Sequence, residues 1–203
     1  MIHMENGNIG ILPNMNHIKI LMAVGCLLMT NCRKPQAVSS DRKQYLENTR
    51  QFIRLFKDSI YLKDSLVISN KAGGHIFSIC EEELFHDSAI LSSQERREIL
   101  VQLDHPILKT WTNDLIGPAK IVSQDTLNQI FKGGLHEAWS LFHEKYGRDL
   151  RRFSAPIFLR NNTICLFYSE MMCGGLCGEG QLSLYKKDAG QWKLIRTFCN
   201  WVS

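Results

Sequence analysis

The sequence predicts an α+β fold, with N-terminal helices packed on a C-terminal antiparallel β-meander. Three observations carry this expectation. Apolar residues recur at helical spacing as far as Tyr146 and alternate with a period of two from about Ala155 onward. The alternating segments are joined by turns too short for parallel crossovers, which take roughly a dozen residues or more. With 203 residues, 44% of them hydrophobic and 22% charged, the chain has the make-up of a single ordinary globular body, neither disordered nor fibrous.

Each element follows from its local pattern. From Asp41 to about Lys63, apolar residues at Tyr45, Phe52, Phe56 and Ile60, with Leu46, Ile53 and Tyr61 alongside, define an amphipathic helix. SLVIS (65–69) reads as a strand, Gly73-Gly74 as a break, and HIFSIC (75–80) as a further strand. EEELFHDSAI, next in line, takes no clear assignment. In LSSQERREILVQL, Ser92 stands three residues before Glu95, the spacing of a capping box. That helix should end before Pro106, because the residue preceding a proline avoids helical geometry. DTLNQIF predicts another helical turn or two. LHEAWSLFHEKYG is the clearest helix, with Leu135, Ala138, Trp139, Phe142 and Tyr146 on one face and Gly147 placed to close it in the left-handed conformation. APIFLR, TICLFYSE, GQLSLYKK and QWKLIRTFCNWV then read as strands. Asn161-Asn162, the glycine-rich MMCGGLCGEG and Asp188-Ala189-Gly190 supply the turns between them.

The N-terminus reads as an address. From Met15 a short basic start (His17, Lys19) precedes an uncharged apolar run, Ile20 to Met29, and Asn31, Cys32 and a polar segment follow. Such a run spans only about 15 Å as a helix, half of a bilayer's hydrocarbon core, so it does not read as a permanent span. The order resembles the signal of bacterial lipoproteins, in which the cysteine after the run is lipidated and becomes the first mature residue. The resemblance implies a signal peptide over residues 1–31, lipidation at Cys32, a flexible tether over 32–40 and one globular domain over 41–203. Cys26 is the competing cysteine, but it would leave almost no apolar run before it. Glu5 and Pro13 do not suit an n-region, so translation is expected to start at Met15. The expected location is the bacterial cell envelope, with membrane lipid as partner through acylated Cys32, facing the periplasm or cell surface. Nucleic acid is not an expected partner. The formal charge of +4, from 24 basic and 20 acidic side chains, is scattered and forms no concentrated basic face.

Several residues invite a chemical role. Cys173 and Cys177 in MMCGGLCGEG are separated by three residues, which is not the Cys-x-x-Cys redox spacing, and a strand follows rather than a helix. A phosphate cradle would lead into a helix, and a zinc site would need a second ligand pair. An exported protein sits where disulfides persist, and a short glycine-rich loop can bring two α-carbons within bridging distance, about 4.4–6.8 Å. A structural Cys173–Cys177 staple is therefore the reading taken, its glycines supplying positive φ angles. Soft-metal (copper) handling by Met171, Met172, Cys173 and Cys177, or a catalytic thiol, are the alternatives. Cys80, Cys165 and Cys199 remain, an odd number. Cys165 and Cys199 fall in strands that could be neighbours. EEELFHDS gathers Glu81, Glu82, Glu83, His86 and Ser88, a candidate acid–base or cation cluster that reads more simply as a solvated loop. His136-Glu137 and His143-Glu144 lie two helical turns apart, beyond the reach of one metal, and read as an exposed face. No cofactor, resident metal or catalytic set is expected.

The C-terminal third carries one further pattern. AWSLFHEKYG, then FSAPIF, then CGGLCGEGQLSLYKKDAGQWKLIRTFCNWVS resemble a motif of uncharacterised exported bacterial proteins over roughly residues 135–203. A Trp-bearing helix there precedes a strand, a Cys-Gly-Gly-Leu-Cys-Gly loop, a Lys-x-x-x-Gly-x-Trp turn and a terminal Trp-x-Ser. The resemblance implies a shared sheet with Trp192 and Trp201 as core anchors, and no activity. The function expected is thus a non-catalytic binding or envelope-assembly module. An envelope enzyme using Cys173/Cys177 or the Glu81–His86 cluster is the alternative.

Overall fold

A computed structural model describes residues 36–59, 66–73, 80–86 and 89–203 of the chain. The signal segment and Cys32 lie outside the described residues, as do residues 75–79 of HIFSIC. The first helix, α1 (Gln36–Ser59), buries Tyr45, Thr49, Phe52, Ile53 and Phe56 along one face. It begins at Gln36 rather than Asp41, within the expected tether. Gln36 and Ala37 are good helix formers, and no Gly or Pro interrupts the chain before Asp41.

Among the described residues seven strands form one mixed, mostly antiparallel sheet: β1 (Val67–Ser69), β2 (Lys120–Val122), β3 (Leu150–Phe153), β4 (Ile157–Leu159), β5 (Ile164–Gly174), β6 (Cys177–Asp188) and β7 (Gln191–Val202). Their order is β2-β1-β3-β5-β6-β7, with β4 sharing the β3 side of β5. The expected meander is β4–β5–β6–β7, whose consecutive strands pair antiparallel, and helices pack on it, so the α+β class holds. What the period of two does not reveal is the parallel pairing of β1 with both β2 and β3. The long connections from β1 to its partners carry helices and have ample length for a crossover. EEELFH, unassigned by its pattern, forms α2 (Glu81–His86).

The remaining helices are α3 (Ser93–Asp104), α4 (Asn113–Ile116), α5 (Gln124–Ile130) and α6 (Leu135–Lys145). The capping box of α3 is complete: Ser92 Oγ accepts from the Glu95 N–H, and Glu95 Oε2 accepts from the Ser92 N–H at 2.8 Å. Arg160 reaches the same carboxylate, with Nε at 2.6 Å from Oε1, and also donates to the Ile90 carbonyl. The Arg160 hydrogen bond, aided by the cap, holds the Glu95 carboxyl down at about 2. After α6, Gly147 has φ of 134°, in the range that favours glycine. Leu135, expected on the buried face of α6, is instead exposed, while Ala138, Trp139 and Phe142 are buried.

Of the three core clusters among the described residues, one gathers Val67, Val122, Leu127, Trp139, Phe142 and Leu150, and the other two lie on opposite faces of the sheet. On one, α1 inserts Phe52 into a ring cluster with Phe158, Phe167, Tyr185 and Trp192, the centroid to Phe167 being 5.0 Å away. On the other, Cys80, Leu84, Leu91 and Ile99 from the α2–α3 region cover Ile164, Leu166, Tyr168, Leu182, Leu184 and Phe198. Trp192, as expected, anchors the first core; Trp201 anchors the far end of the second face. The Ala189–Gly190 turn between β6 and β7 has positive φ at both residues, 47° and 81°, as a tight two-residue hairpin requires.

The glycines around Cys177 work differently from expectation. None of Gly174, Gly175, Gly178 and Gly180 has a positive φ. Gly178 and Gly180 are glycine because the Trp201 indole lies against them. A Cβ on Gly178 would stand 3.1 Å from the ring, and one on Gly180 only 2.7 Å from Trp201 Cε2 and 2.8 Å from Tyr168 Oη.

Gly180→Ala should therefore destabilise the fold by about 2 kcal/mol through overpacking. Gly133→Ala, where a Cβ meets nothing within 4 Å, should stay within about 0.5 kcal/mol of the parent. Urea denaturation of the two variants checks the contrast. Glu95→Gln tests the cap. A carboxylate whose folded pKa is depressed stabilises above its unfolded value and loses that contribution as pH falls. Glu95→Gln should thus lie about 1 kcal/mol below the parent at pH 7, with the gap closing between pH 4.5 and about 2. A gap that persisted at pH 2 would rule this account out.

Candidate functional site

The long strands of the meander run past α1, and the overhang forms a cleft of about 510 Å³. Its floor takes Arg151 from β3, Ser169 and Met171 from β5, Glu179 and Gln181 from β6, and Asn200 and Val202 from β7. Phe52 and Phe56 of α1, with Tyr185, Trp192 and Leu194, form its wall. The register explains the grouping. Arg151, Met171, Glu179 and Val202 are paired neighbours across four strands, and Phe153, Ser169, Gln181 and Asn200 form the adjoining row. Directly paired residues share a face, and Phe153 packs under Phe56 at a 5.7 Å centroid distance. Burial pushes the Tyr185 phenol up to about 12, so it is a protonated wall group at neutral pH.

The opposite face at the same level carries a closed polar network. Arg152 Nη1 donates to Glu170 Oε1 at 3.1 Å, Tyr168 Oη donates to Glu170 Oε2 at 2.8 Å, and Trp201 Nε1 donates to Tyr168 Oη at 2.9 Å. Burial is the main reason the Tyr168 phenol is held well above its ordinary range. Glu170 is 10% exposed, so its pairing with Arg152 offsets much of the penalty of burying a carboxylate. These hydrogen bonds tie Arg152, Glu170, Tyr168 and Trp201 to one another, and Glu170 and Trp201 also border the cleft.

Cys173 and Cys177 stand at disulfide distance, with Cα–Cα of 5.1 Å. Their loop is the tip of the β5–β6 hairpin: Gly174 pairs with Cys177, and the register shifts between Met172 and Gly174, leaving Cys173 as the extra residue of a bulge. A second pair, Cys80 and Cys199, also stands at disulfide distance, Cα–Cα 5.3 Å, and ties the start of α2 to β7. Cys165 is free and fully buried, and burial pushes its thiol well up. It is not a neighbour of Cys199, because β6 runs between β5 and β7.

The candidate metal set does not converge. Met171 and Met172 are consecutive strand residues and point to opposite faces: Met171 lines the cleft, and Met172 packs by Leu150 and Trp139. No group of three or more His, Cys, Asp or Glu among the described residues is arranged to hold a metal ion. Of the Glu81–His86 cluster, Glu83 Oε2 accepts the Cys199 N–H at 2.8 Å, and Glu81 and Glu82 are exposed on α2. Ser88 and the His86 side chain lie outside what is described. His136, Glu137, His143 and Glu144 are all exposed on α6. The two imidazoles, with Trp139, border a shallow groove beside Gly174 and Gly175 of the hairpin tip.

No family model, curated protein or solved structure matches this chain. The cleft residues Arg151, Glu179, Gln181 and Asn200 were absent from the candidates drawn from sequence. Each occupies an ordinary polar position in an alternating strand, and only the pairing register brings the four together.

The two cysteine pairs differ in what they close. Sequence separations of 119 and 4 residues imply stabilisation of roughly 5 and 2 kcal/mol by loop-closure entropy. Replacing both Cys80 and Cys199 by Ser should cost about 3 kcal/mol more than replacing both Cys173 and Cys177. Chemical denaturation of the two double variants under non-reducing conditions checks this. Equal losses would contradict it.

Proposed function

We propose that this chain is a lipid-anchored protein of the bacterial cell envelope whose body, Ser40–Ser203, binds a ligand without transforming it. The two cysteine pairs at disulfide distance carry the reading. Disulfides persist in exported proteins and are rare in a reducing cytosol, which agrees with the signal pattern ending at Cys32. The hairpin staple, the turn at Trp192 and the Trp201–Ser203 terminus also give structural roles to the motif shared with exported proteins.

Binding without catalysis is favoured by the composition of the cleft. Its lining includes no His or Cys, and its one serine, Ser169, has no hydrogen-bonded base among the described residues. A hydroxyl nucleophile needs such a base within hydrogen-bond reach, and of the two carboxylates that line the cleft, Glu170 is held by Arg152 and Tyr168. Among the described residues no helix is long and apolar enough to cross a membrane. Membrane attachment in this reading comes from acyl chains on Cys32.

Growth of a bacterial expression strain with radiolabelled palmitate tests the anchor. The parent protein should incorporate label and sediment with membranes, and Cys32→Ser should abolish both. Label retained by Cys32→Ser and lost from Cys26→Ser would move the anchor to Cys26. No label in the parent would remove the reading.

A further inference from the structure

The cleft floor holds five polar side chains that the fold itself does not use. Arg151, Ser169, Glu179, Gln181 and Asn200 make no side-chain hydrogen bond or ion pair with any described residue. Arg152, next to Arg151 in sequence, shows the contrast: it points to the other face and is paired with Glu170. The uncommitted groups lie on one face, in two adjoining rows.

Their chemistry restricts what can lie there. Arg151 and Glu179 offset each other, and Glu170, which also borders the cleft, is paired with Arg152, so the floor carries no net charge, which disfavours a polyanion or a polycation. Gln181 and Asn200 are directly paired carboxamides, and each presents donors and an acceptor. Ser169 adds a hydroxyl that does both. A guanidinium, a carboxylate and two carboxamides are planar forks, suited to bridging two adjacent hydroxyls on a ligand. The wall is apolar and partly aromatic, with the half-buried rings of Tyr185 and Trp192 at the end away from Arg151.

Shape points the same way. From Glu179 to Tyr185 the groove follows β6 for six residues, about 20 Å. Its volume of about 510 Å³ falls within the range of small-molecule sites, roughly 300–1,000 Å³. Strand spacing sets the uncommitted forks about 4.8 Å apart in the cross direction, comparable with one sugar ring. An elongated, neutral ligand with paired hydroxyls along its edges and C–H faces for the aromatic rings meets every one of these conditions.

We infer that the cleft binds a neutral oligosaccharide laid along β6. Arg151, Glu179, Gln181 and Asn200 bridge its hydroxyls, and Tyr185 and Trp192 take its apolar ring faces. The inference rests on the reading of the body as a binding module and names its ligand class.

Two printed arrays probed with the purified full chain test it, one of neutral and acidic glycans and one of extended peptides, followed by calorimetry on the strongest binder. A neutral glycan should bind, and Arg151→Ala and the Gln181→Ala/Asn200→Ala double variant should each weaken it at least tenfold. Glu144→Ala, on the exposed face of α6, should leave binding unchanged, and thermal melts of all variants should match the parent. Neutral-glycan binding that the cleft variants do not alter would overturn the site. Capture of acidic glycans or peptides instead, lost in the same variants, would overturn the ligand class and leave the binding module standing. Silence on both arrays would remove the two together.

Discussion

The structure turns on β5, a strand buried on both faces for only half its length. Ile164, Cys165, Leu166, Phe167 and Tyr168 are all buried, and Ser169 to Gly174 are half-exposed. A strand with both faces inside needs cover on each side, and its sequence then reads as a continuous apolar run rather than an alternation. The covers are α1 on one face and the α2–α3 region on the other. Both end where the apolar run ends, yet β5, β6 and β7, which are 11 or 12 residues long in all, run on past them. The overhang is the source of everything distinctive in the molecule.

Its two faces are finished by opposite means. On the α2–α3 side, Trp201 folds down onto Gly178 and Gly180, and its N–H completes the Tyr168–Glu170–Arg152 network. Removing the side chains of β6 there lets an aromatic ring from β7 approach the backbone closely, so the face closes on itself. The last residue joins in, with Ser203 and Gly178 exchanging backbone hydrogen bonds at 2.9 and 3.2 Å. On the α1 side no ring from β7 folds over, and longer polar side chains stand on the same strands without hydrogen-bond partners among the described residues. Consecutive arginines record the asymmetry: Arg152 is tied into the closed face and Arg151 is left for solvent or a ligand.

Much of this fold was legible in the sequence where the signal was local. The Ser92–Glu95 capping box, the Asn161-Asn162 turn, the Trp139 helix and the three meander strands depend on neighbouring residues, and their patterns appear in order along the chain. The misreadings share one cause. β2 and β3 are three and four residues long, too short to establish a period, so of the parallel part of the sheet only β1 was legible. The glycines near Cys177 suggested turn conformations, but for Gly178 and Gly180 the reason is Trp201, more than 20 residues away. The Cys80–Cys199 pair spans 119 residues, and no spacing rule reaches that far. The cleft was illegible for the same reason, since its members lie on four strands and only register unites them.

The free edge of the sheet connects these features. Among the described strands β7 is the outermost beside β6, and Leu194, Ile195 and Val202 are exposed along it. A long apolar edge of this kind invites pairing with another chain. Two register shifts against β6 break its regularity, and Lys193 and Arg196 place positive charge along it. At Cys199, which the bulge leaves without a strand partner, Glu83 of α2 accepts the N–H, and the nearby Cys80 holds α2 in place. Among the described residues the edge is blocked at one point by a side chain, and no further strand pairs with it. That distinction matters for the cleft, because a full cover along β7 would also have sealed the groove at Asn200 and Leu194. Guarding the edge with charges, bulges and one anchored carboxylate lets the sheet end safely while its overhanging face stays open.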